Sequence, residues 1–266
     1  IKFMLNVPSF GKTFICIDDK NNRDICKTSK IKNILTYGFS KDANFRIKNY
    51  SFFKNKSFFD VEMHLPNKKK THLKKIEIPL IGSHNVKNAT AAIAVSYFIG
   101  VSSIILKNSL KNFKGVERRF NKIFTYNGAD VFDDYAHHPT EIKEVINGVS
   151  NSYKEKKIIC IFQPHRISRL NDLKTEFCYS FKKVNSVILC PVFKAGENLK
   201  LNLDYYNFAK QIAKKSEVKV FLINNQIEIA KFLKNFLNDT HIVIGMGAGS
   251  ISSWIKELPS LMKKRC

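Results

Sequence analysis

From about Val116 onward, short apolar runs alternate with longer stretches whose apolar residues recur at helical spacing. The run that closes on Val131 and Phe132, then KKIICIF, SVILCPVF, KVFLI and HIVIGMG, read as buried strands. Between them Ile142, Val145 and Ile146 share one helix face. Leu170, Leu173, Phe177 and Phe181 share another, which predicts a single amphipathic helix across residues 170–184. Strands joined by helices in this order predict an α/β fold with a mostly parallel sheet and right-handed crossovers. The first 112 residues are less regular. TFICI, NILTYGF and FFDVEMHL read as strands, and residues 85–100 as a helix whose small ATAAIA run suits close packing on a sheet. The junction falls near residues 108–117, dividing the chain into 1–112 and 113–266.

Two motifs sit where strands of the second part end. DDYAHHPTE spans residues 133–141 and FQPHRISR spans residues 162–169. Open α/β sheets bind ligands outside the carboxyl ends of their strands, so charged, aromatic and imidazole side chains gathered there mark a site rather than a core. Arg166 and Arg169, three residues apart, can present planar forks to one carboxylate. Tyr135 and His137 can add a neutral and a charge-adjustable hydrogen bond. The set suits a small anionic substrate. The plainer alternative is that the arginines make surface ion pairs and one histidine bonds a helix terminus. Pro139 suits a first helical turn, with the helix running on from Glu141.

Composition limits the classes open to the chain. Its 266 residues are 44% hydrophobic, enough for one large or two modest cores, and no apolar run is long enough to span a membrane. The opening IKFMLNVPSF lacks a signal-peptide pattern, and six cysteines are scattered without metal-ligand spacing, so free thiols in a cytoplasmic protein are expected. A net charge of +23, from 45 basic and 22 acidic residues, raises nucleic acid as a partner. The lysines are nevertheless spread through every segment, and KNKSFF, NKKKTHLKK and KEKK read as solvated loops and hairpins. No aromatic RNA-binding signature accompanies them. The charge reads as a compositional bias that allows salt-sensitive association with polyanions and assists nucleotide capture, without a specific nucleic-acid partner.

Two glycine patterns invite nucleotide readings. Gly11, Lys12 and Thr13 spell the end of a phosphate loop, but Asn6 stands where the first glycine is required. Gly245, Gly247 and Gly249 follow a strand like a dinucleotide fingerprint, yet they come last in their unit, which favours a tight strand-to-helix turn over a phosphate loop.

DDYAHHPTE and FQPHRISR, with GSHNVKN at 82–88, GVERRF at 115–120, KAGEN at 194–198 and GMGAGSI at 245–251 in that order, resemble the Mur ligases. NVPSFGKTFICIDD near the start and TYGF at 36–39 extend the resemblance over nearly the whole chain. FQPHR beside DYAHHPTE resembles the L-alanine-adding branch rather than the murein-peptide recycling one. PSFGKT stands where that family usually has a PFYG-type run, outside the site motifs.

The resemblance implies that residues 1–112 are the C-terminal part of a central ATP-binding domain, and residues 113–266 a Rossmann-like C-terminal domain. It implies a cytoplasmic ligase of peptidoglycan precursor synthesis that uses ATP and Mg²⁺ to phosphorylate the muramoyl carboxylate of UDP-N-acetylmuramate. The L-alanine amine then displaces phosphate. In that family the UDP-binding domain, the phosphate loop and most metal ligands precede the matched segment, so the chain alone is expected to be inactive. A noncatalytic remnant that binds nucleotide, L-alanine or polyanions is the alternative.

Residue by residue, the resemblance assigns Asn85, Asn88 and His84 to ATP, with a helix N-cap as the other reading of Asn85. Arg119 is assigned to the ATP phosphates at the hinge, with Arg118 as its exposed neighbour. Asp134 is assigned to the ATP ribose, while Asp133 finishes a strand or caps a turn. Tyr135, His137, Arg166 and Arg169 are assigned to L-alanine, and Arg119 and His137 are the expected catalytic pair. His138 and His165 take structural roles, and no residue is assigned to a metal.

Overall fold

In a computed structural model the chain forms two compact units, Ile1–Gly115 and Val116–Cys266. The described residues are 1–29, 31, 33–53, 56–66, 69–199 and 204–263. Lys54, Asn55, Asn67 and Lys68 of the lysine-rich segments, and the last cysteine, Cys266, lie outside them.

The first unit opens with a short helix, α1 (Lys2–Leu5), and is built on a mixed five-stranded sheet. Strands β1 (Thr13–Cys16), β2 (Ile34–Gly38) and β3 (Phe45–Phe53) run parallel, with α2 (Lys20–Thr28) joining the first two. β4 (Lys56–Met63) and β5 (Thr71–Ile78) extend the sheet antiparallel. Helices α3 (Ser83–Phe98) and α4 (Ser103–Lys111) follow. Phe45, Phe59, Val61 and Ile76 pack with Val86, Ile93 and Ala94 of α3, whose small residues let helix and sheet approach closely.

The lysines read as part of a solvated hairpin at THLKK lie in β5, the outer strand of the β4–β5 hairpin and an edge of the sheet, where Lys74 and Lys75 are exposed. Leu73, Ile76 and Ile78 face inward there, and Lys75 takes a left-handed φ of 56° that resets the alternation. That irregularity hides the period-2 signal, and lysines on an edge discourage pairing with other chains.

The second unit holds a six-stranded sheet of order β10-β9-β8-β11-β7-β6. Its strands are β6 (Asn121–Tyr126), β7 (Ala129–Asp134), β8 (Lys157–Phe162), β9 (Ser186–Leu189), β10 (Lys219–Leu222) and β11 (His241–Met246). All pairs are parallel except β6–β7, an antiparallel hairpin that apolar periodicity did not signal. The helices are α5 (Pro139–Ser152), α6 (Ile167–Asp172), α7 (Lys174–Cys178), α8 (Tyr205–Ser216), α9 (Gln226–Phe236) and α10 (Ile251–Lys263).

The single helix expected over 170–184 is two short ones. Leu173 leaves helical geometry at φ −114°, although Leu170, Phe177 and Phe181 are buried as their spacing implied. Ile159, Ile161, Ile188 and Val243 form the sheet core with Ile229 and Leu233 of α9 and Ile251, Ile255 and Leu258 of α10. Each fully buried aliphatic side chain contributes about 1.5–3 kcal/mol.

β11 returns from the end of the chain to lie between β8 and β7, and its register levels their carboxyl ends. Met246 pairs with Asp134 on one side and Phe162 on the other. The loops after β7, β8 and β11 therefore open together at the carboxyl end of the sheet, at the place where strand order reverses.

Candidate functional site

Two buried carboxylates end β7, and they have different partners. Asp133 Oδ2 accepts from Ser252 Oγ at 2.6 Å and lies 3.5 Å from Arg118 Nε. The latter contact is an ion pair rather than an aligned hydrogen bond, since Arg118 Nε and Asp133 Oδ1 are buried without a hydrogen-bond partner. Arg118 also donates to the Gly247 carbonyl at 2.7 Å, and its guanidinium lies 4.8 Å from the centre of the Tyr135 ring. Arg118, expected as the exposed neighbour, is thus the half-buried structural arginine, and Asp133 anchors it. Left-handed φ at Arg118 (60°) and Phe120 (52°) brackets Arg119, which is exposed. The Phe120 ring stacks on Phe132 at 4.1 Å.

Asp134 spends both oxygens on the chain itself, accepting from Phe120 N at 2.8 Å and Ala136 N at 2.7 Å. Burial raises its carboxyl to about 6, and those two amides and the Arg119 charge oppose the rise. The carboxylate ties the segment before β6 to the loop after β7.

That loop sets Tyr135 and His137 edge to face, with ring centres 5.0 Å apart. His137 Nδ1 lies 2.8 Å from the Tyr135 carbonyl, so Nδ1 carries hydrogen and Nε2 is the acceptor of the neutral ring. His138 is the N-cap of α5: its Nδ1 accepts from Thr140 N at 3.3 Å, while Glu141 accepts from His137 N and His138 N.

His165, after β8, comes within 5.8 Å of His137, ring centre to ring centre. Arg169 donates to the His165 carbonyl at 3.2 Å and sits 3.3 Å from its Nδ1, which makes Nδ1 the acceptor. Burial first, then Arg169, His137 and Arg166, lower the His165 pKa and favour the neutral ring. Arg166 is exposed at a left-handed φ of 70°, a backbone state that costs about 1–3 kcal/mol for a non-glycine residue and persists only where surrounding contacts fix it. One such contact is Arg166 N donating to the Phe193 carbonyl at 2.8 Å.

Phe193 itself stacks on His165 at 5.6 Å. Gln163 Oε1 accepts from Ile251 N at 3.0 Å, and Gln163 Nε2 donates to Ser250 Oγ. The glycine cluster is a tight strand-to-helix turn: Gly247 has φ 150°, and a Cβ on Gly249 would lie 2.4 Å from the Phe193 ring.

Tyr135, His137, His165, Arg166 and Arg169 thus converge from the segments that follow β7 and β8, strands separated by β11. Gln163, Phe193, Ser168, Glu197, Arg118 and Asp133 join them without having been singled out as site residues. KAGEN marked the region of Glu197, but pairing across loops leaves no period in sequence.

The remaining candidates lie in the first unit. α3 begins at Ser83 with Gly82 as its N-cap, so Asn85 is inside the helix rather than capping it. Asn85 is buried and donates Nδ2 to the Ile81 carbonyl at 2.7 Å, whereas Asn88 is exposed and His84 half-buried.

Comparison with known proteins gives a consistent assignment. The Mur ligase middle domain matches residues 1–96, and the Mur ligase glutamate ligase domain matches residues 118–249. The chain is 56% identical over 262 residues to a UDP-N-acetylmuramate-L-alanine ligase of Pelagibacter ubique, covering 98% of this chain and 56% of that one. A Bartonella henselae protein of the same name is 35% identical, with 97% and 54% covered. The chain spans about half the length of these curated relatives. Among solved structures, the UDP-N-acetylmuramate-alanine ligase of Thermotoga maritima superposes with a TM-score of 0.67 at 23% identity, covering 85% of this chain and 47% of that one. A murein peptide ligase of Psychrobacter arcticus superposes at 0.69 and 20%, covering 100% and 55%. At such identities the structures share the fold. With both domain matches and a 56% identical relative along nearly its whole length, the chain belongs to the Mur ligase family and carries its middle and C-terminal domains.

Proposed function

We propose that this chain forms the amino-acid-accepting part of an ATP-dependent ligase that joins L-alanine to UDP-N-acetylmuramate in peptidoglycan precursor synthesis. The observation that carries the reading is the convergence of two arginines, two imidazoles and a tyrosine at the carboxyl end of the sheet, in a chain whose relatives bear that ligase name. Exposed Arg166, with Arg169 beside it, clamps the alanine carboxylate. Tyr135 adds a neutral hydrogen bond. His137, with Nδ1 held by a carbonyl, offers Nε2 to a proton of the amine, which leaves the nitrogen lone pair for attack.

ATP supplies the phosphoryl group that turns the muramoyl carboxylate into an acyl phosphate. Arg119, exposed before β6, is assigned to its phosphates, and His84 and Asn88 are assigned to nucleotide contacts. The engaged oxygens of Asp134 suit it to fixing the segment before β6 rather than to holding a ribose. Among the described residues no group of three His, Cys, Asp or Glu side chains is arranged for a metal ion.

The test is formation of UDP-N-acetylmuramoyl-L-alanine and ADP by the chain mixed with the N-terminal portion of the Pelagibacter relative. Product is expected only in the mixture. A folded chain that yields none with that partner overturns the reading. In the active mixture, Arg166→Ala should raise KM for L-alanine by about 10–100-fold and leave KM for ATP nearly unchanged. Equal losses for both substrates would reject the clamp.

A further inference from the structure

The KAGEN segment has no role in the site so far, yet it is fastened to the first turn of α6, between the two arginines. Glu197 Oε2 accepts from Ser168 N at 3.1 Å, and Oε1 accepts from Ser168 Oγ at 2.5 Å. Ser168 lies between Arg166 and Arg169. Helix α6 has Arg166 as its N-cap residue, without a side-chain cap bond, so the carboxylate from the neighbouring loop supplies the acceptor that the first turn lacks.

Two further bonds complete the attachment, Arg166 N to the Phe193 carbonyl and Phe193 N to the Pro164 carbonyl, both at 2.8 Å. Ala195 and Gly196 take left-handed φ of 52° and 80°, which turns the chain back so that Glu197 reaches Ser168. The Ser168 bonds, ahead of a contribution from Arg166, hold the Glu197 carboxyl below its ordinary range, so it is ionised at neutral pH.

We propose that Glu197 is a positioning residue for amino-acid acceptance: it latches the loop after β9 onto the first turn of α6 and fixes Arg166 in its strained backbone state beside Arg169. The inference rests on the alanine-accepting role proposed for the arginines. It predicts that loss of the latch lets the Arg166 backbone relax, which disperses the two guanidinium groups without touching the nucleotide contacts.

Two measurements on the same variants test it. In the complemented enzyme, Glu197→Ala should raise KM for L-alanine about tenfold, with kcat at saturating alanine and KM for ATP within about twofold of wild type. Glu197→Gln keeps an acceptor for Ser168 and should fall between the two. Unchanged kinetics in Glu197→Ala, or parallel loss of kcat and both KM values in both variants, overturns the proposal.

Amide hydrogen exchange on the unmixed chain reads the latch separately. Faster exchange at Ser168 in Glu197→Ala, partly restored in Glu197→Gln, is expected, and unchanged exchange overturns the proposal. If the wild-type mixture makes no product the ligase reading fails, while the exchange result still decides whether Glu197 holds the arginine loop.

Discussion

At the scale of single residues, the buried carboxylate Asp134 makes a claim that titration can check. Its ordinary value is 3.8, and in the folded chain burial lifts it to about 6. Between those values the unfolded chain has released a proton that the folded chain still holds. Stability contributed at this position is therefore lost as pH rises from about 4 to about 6, and the two-unit shift is worth roughly 3 kcal/mol. Asp134→Asn removes the titrating group, so the difference between variant and wild-type urea midpoints should change with pH across this window; a difference that stays constant would show that the folded and unfolded values of the carboxyl coincide. Glu62 behaves oppositely. His64 and Lys70 hold its carboxyl down at about 2, so its contribution is present at neutral pH and fades as pH falls below its ordinary 4.5. Such environments were only half legible in the sequence. DDYAHHPTE announced a site because polar residues crowded a strand end, but which of two adjacent aspartates would hold an arginine depended on Ser252 and Gly247, more than a hundred residues away.

At the scale of elements, α5 shows how one cap serves both folding and the site. Glu141 closes the helix start by accepting from His138 N, and through the same oxygen it holds His137 N at 3.0 Å. Glu141→Ala should cost about 1 kcal/mol in urea unfolding, the usual worth of a cap. It should also weaken alanine use in the complemented enzyme, because the His137 backbone loses its tether; a stability loss with unchanged KM for L-alanine would separate the two effects. This helix was readable from His138, Pro139 and Glu141, as were β8, β9 and β11 from their unbroken apolar runs. Elements that escaped notice carry mixed signals. β6 alternates poorly because NKIFTY shifts register at residues 122–124, and β5 interrupts its own alternation at Lys75. The turn after β11 tolerates even less change. A Cβ on Gly249 would meet the Phe193 ring at 2.4 Å, so Gly249→Ala should cost about 1–3 kcal/mol and disturb the stack on His165.

At the scale of the whole molecule, positive charge and division into units decide behaviour. Residues 1–115 carry 21 basic and 7 acidic side chains, and residues 116–266 carry 24 and 15, so both units repel polycations and neither owns the charge. Spread in this way, the charge argues for salt-sensitive, nonspecific attraction to polyanions. The second unit has its own core: strands β7, β8, β9 and β11 are sandwiched by helices, with Ile159, Ile188, Val243 and Ile255 fully buried among them. A domain of roughly 150 residues buries about 68–70% of its unfolded surface, enough for independent stability. Residues 116–266 expressed alone should therefore unfold cooperatively in urea, at a midpoint matching one transition of the whole chain. Added salt should raise that midpoint by screening self-repulsion. If the isolated unit instead shows no cooperative transition, its sheet takes its stability from the first 115 residues, and the alanine site would have to be studied only in the intact chain.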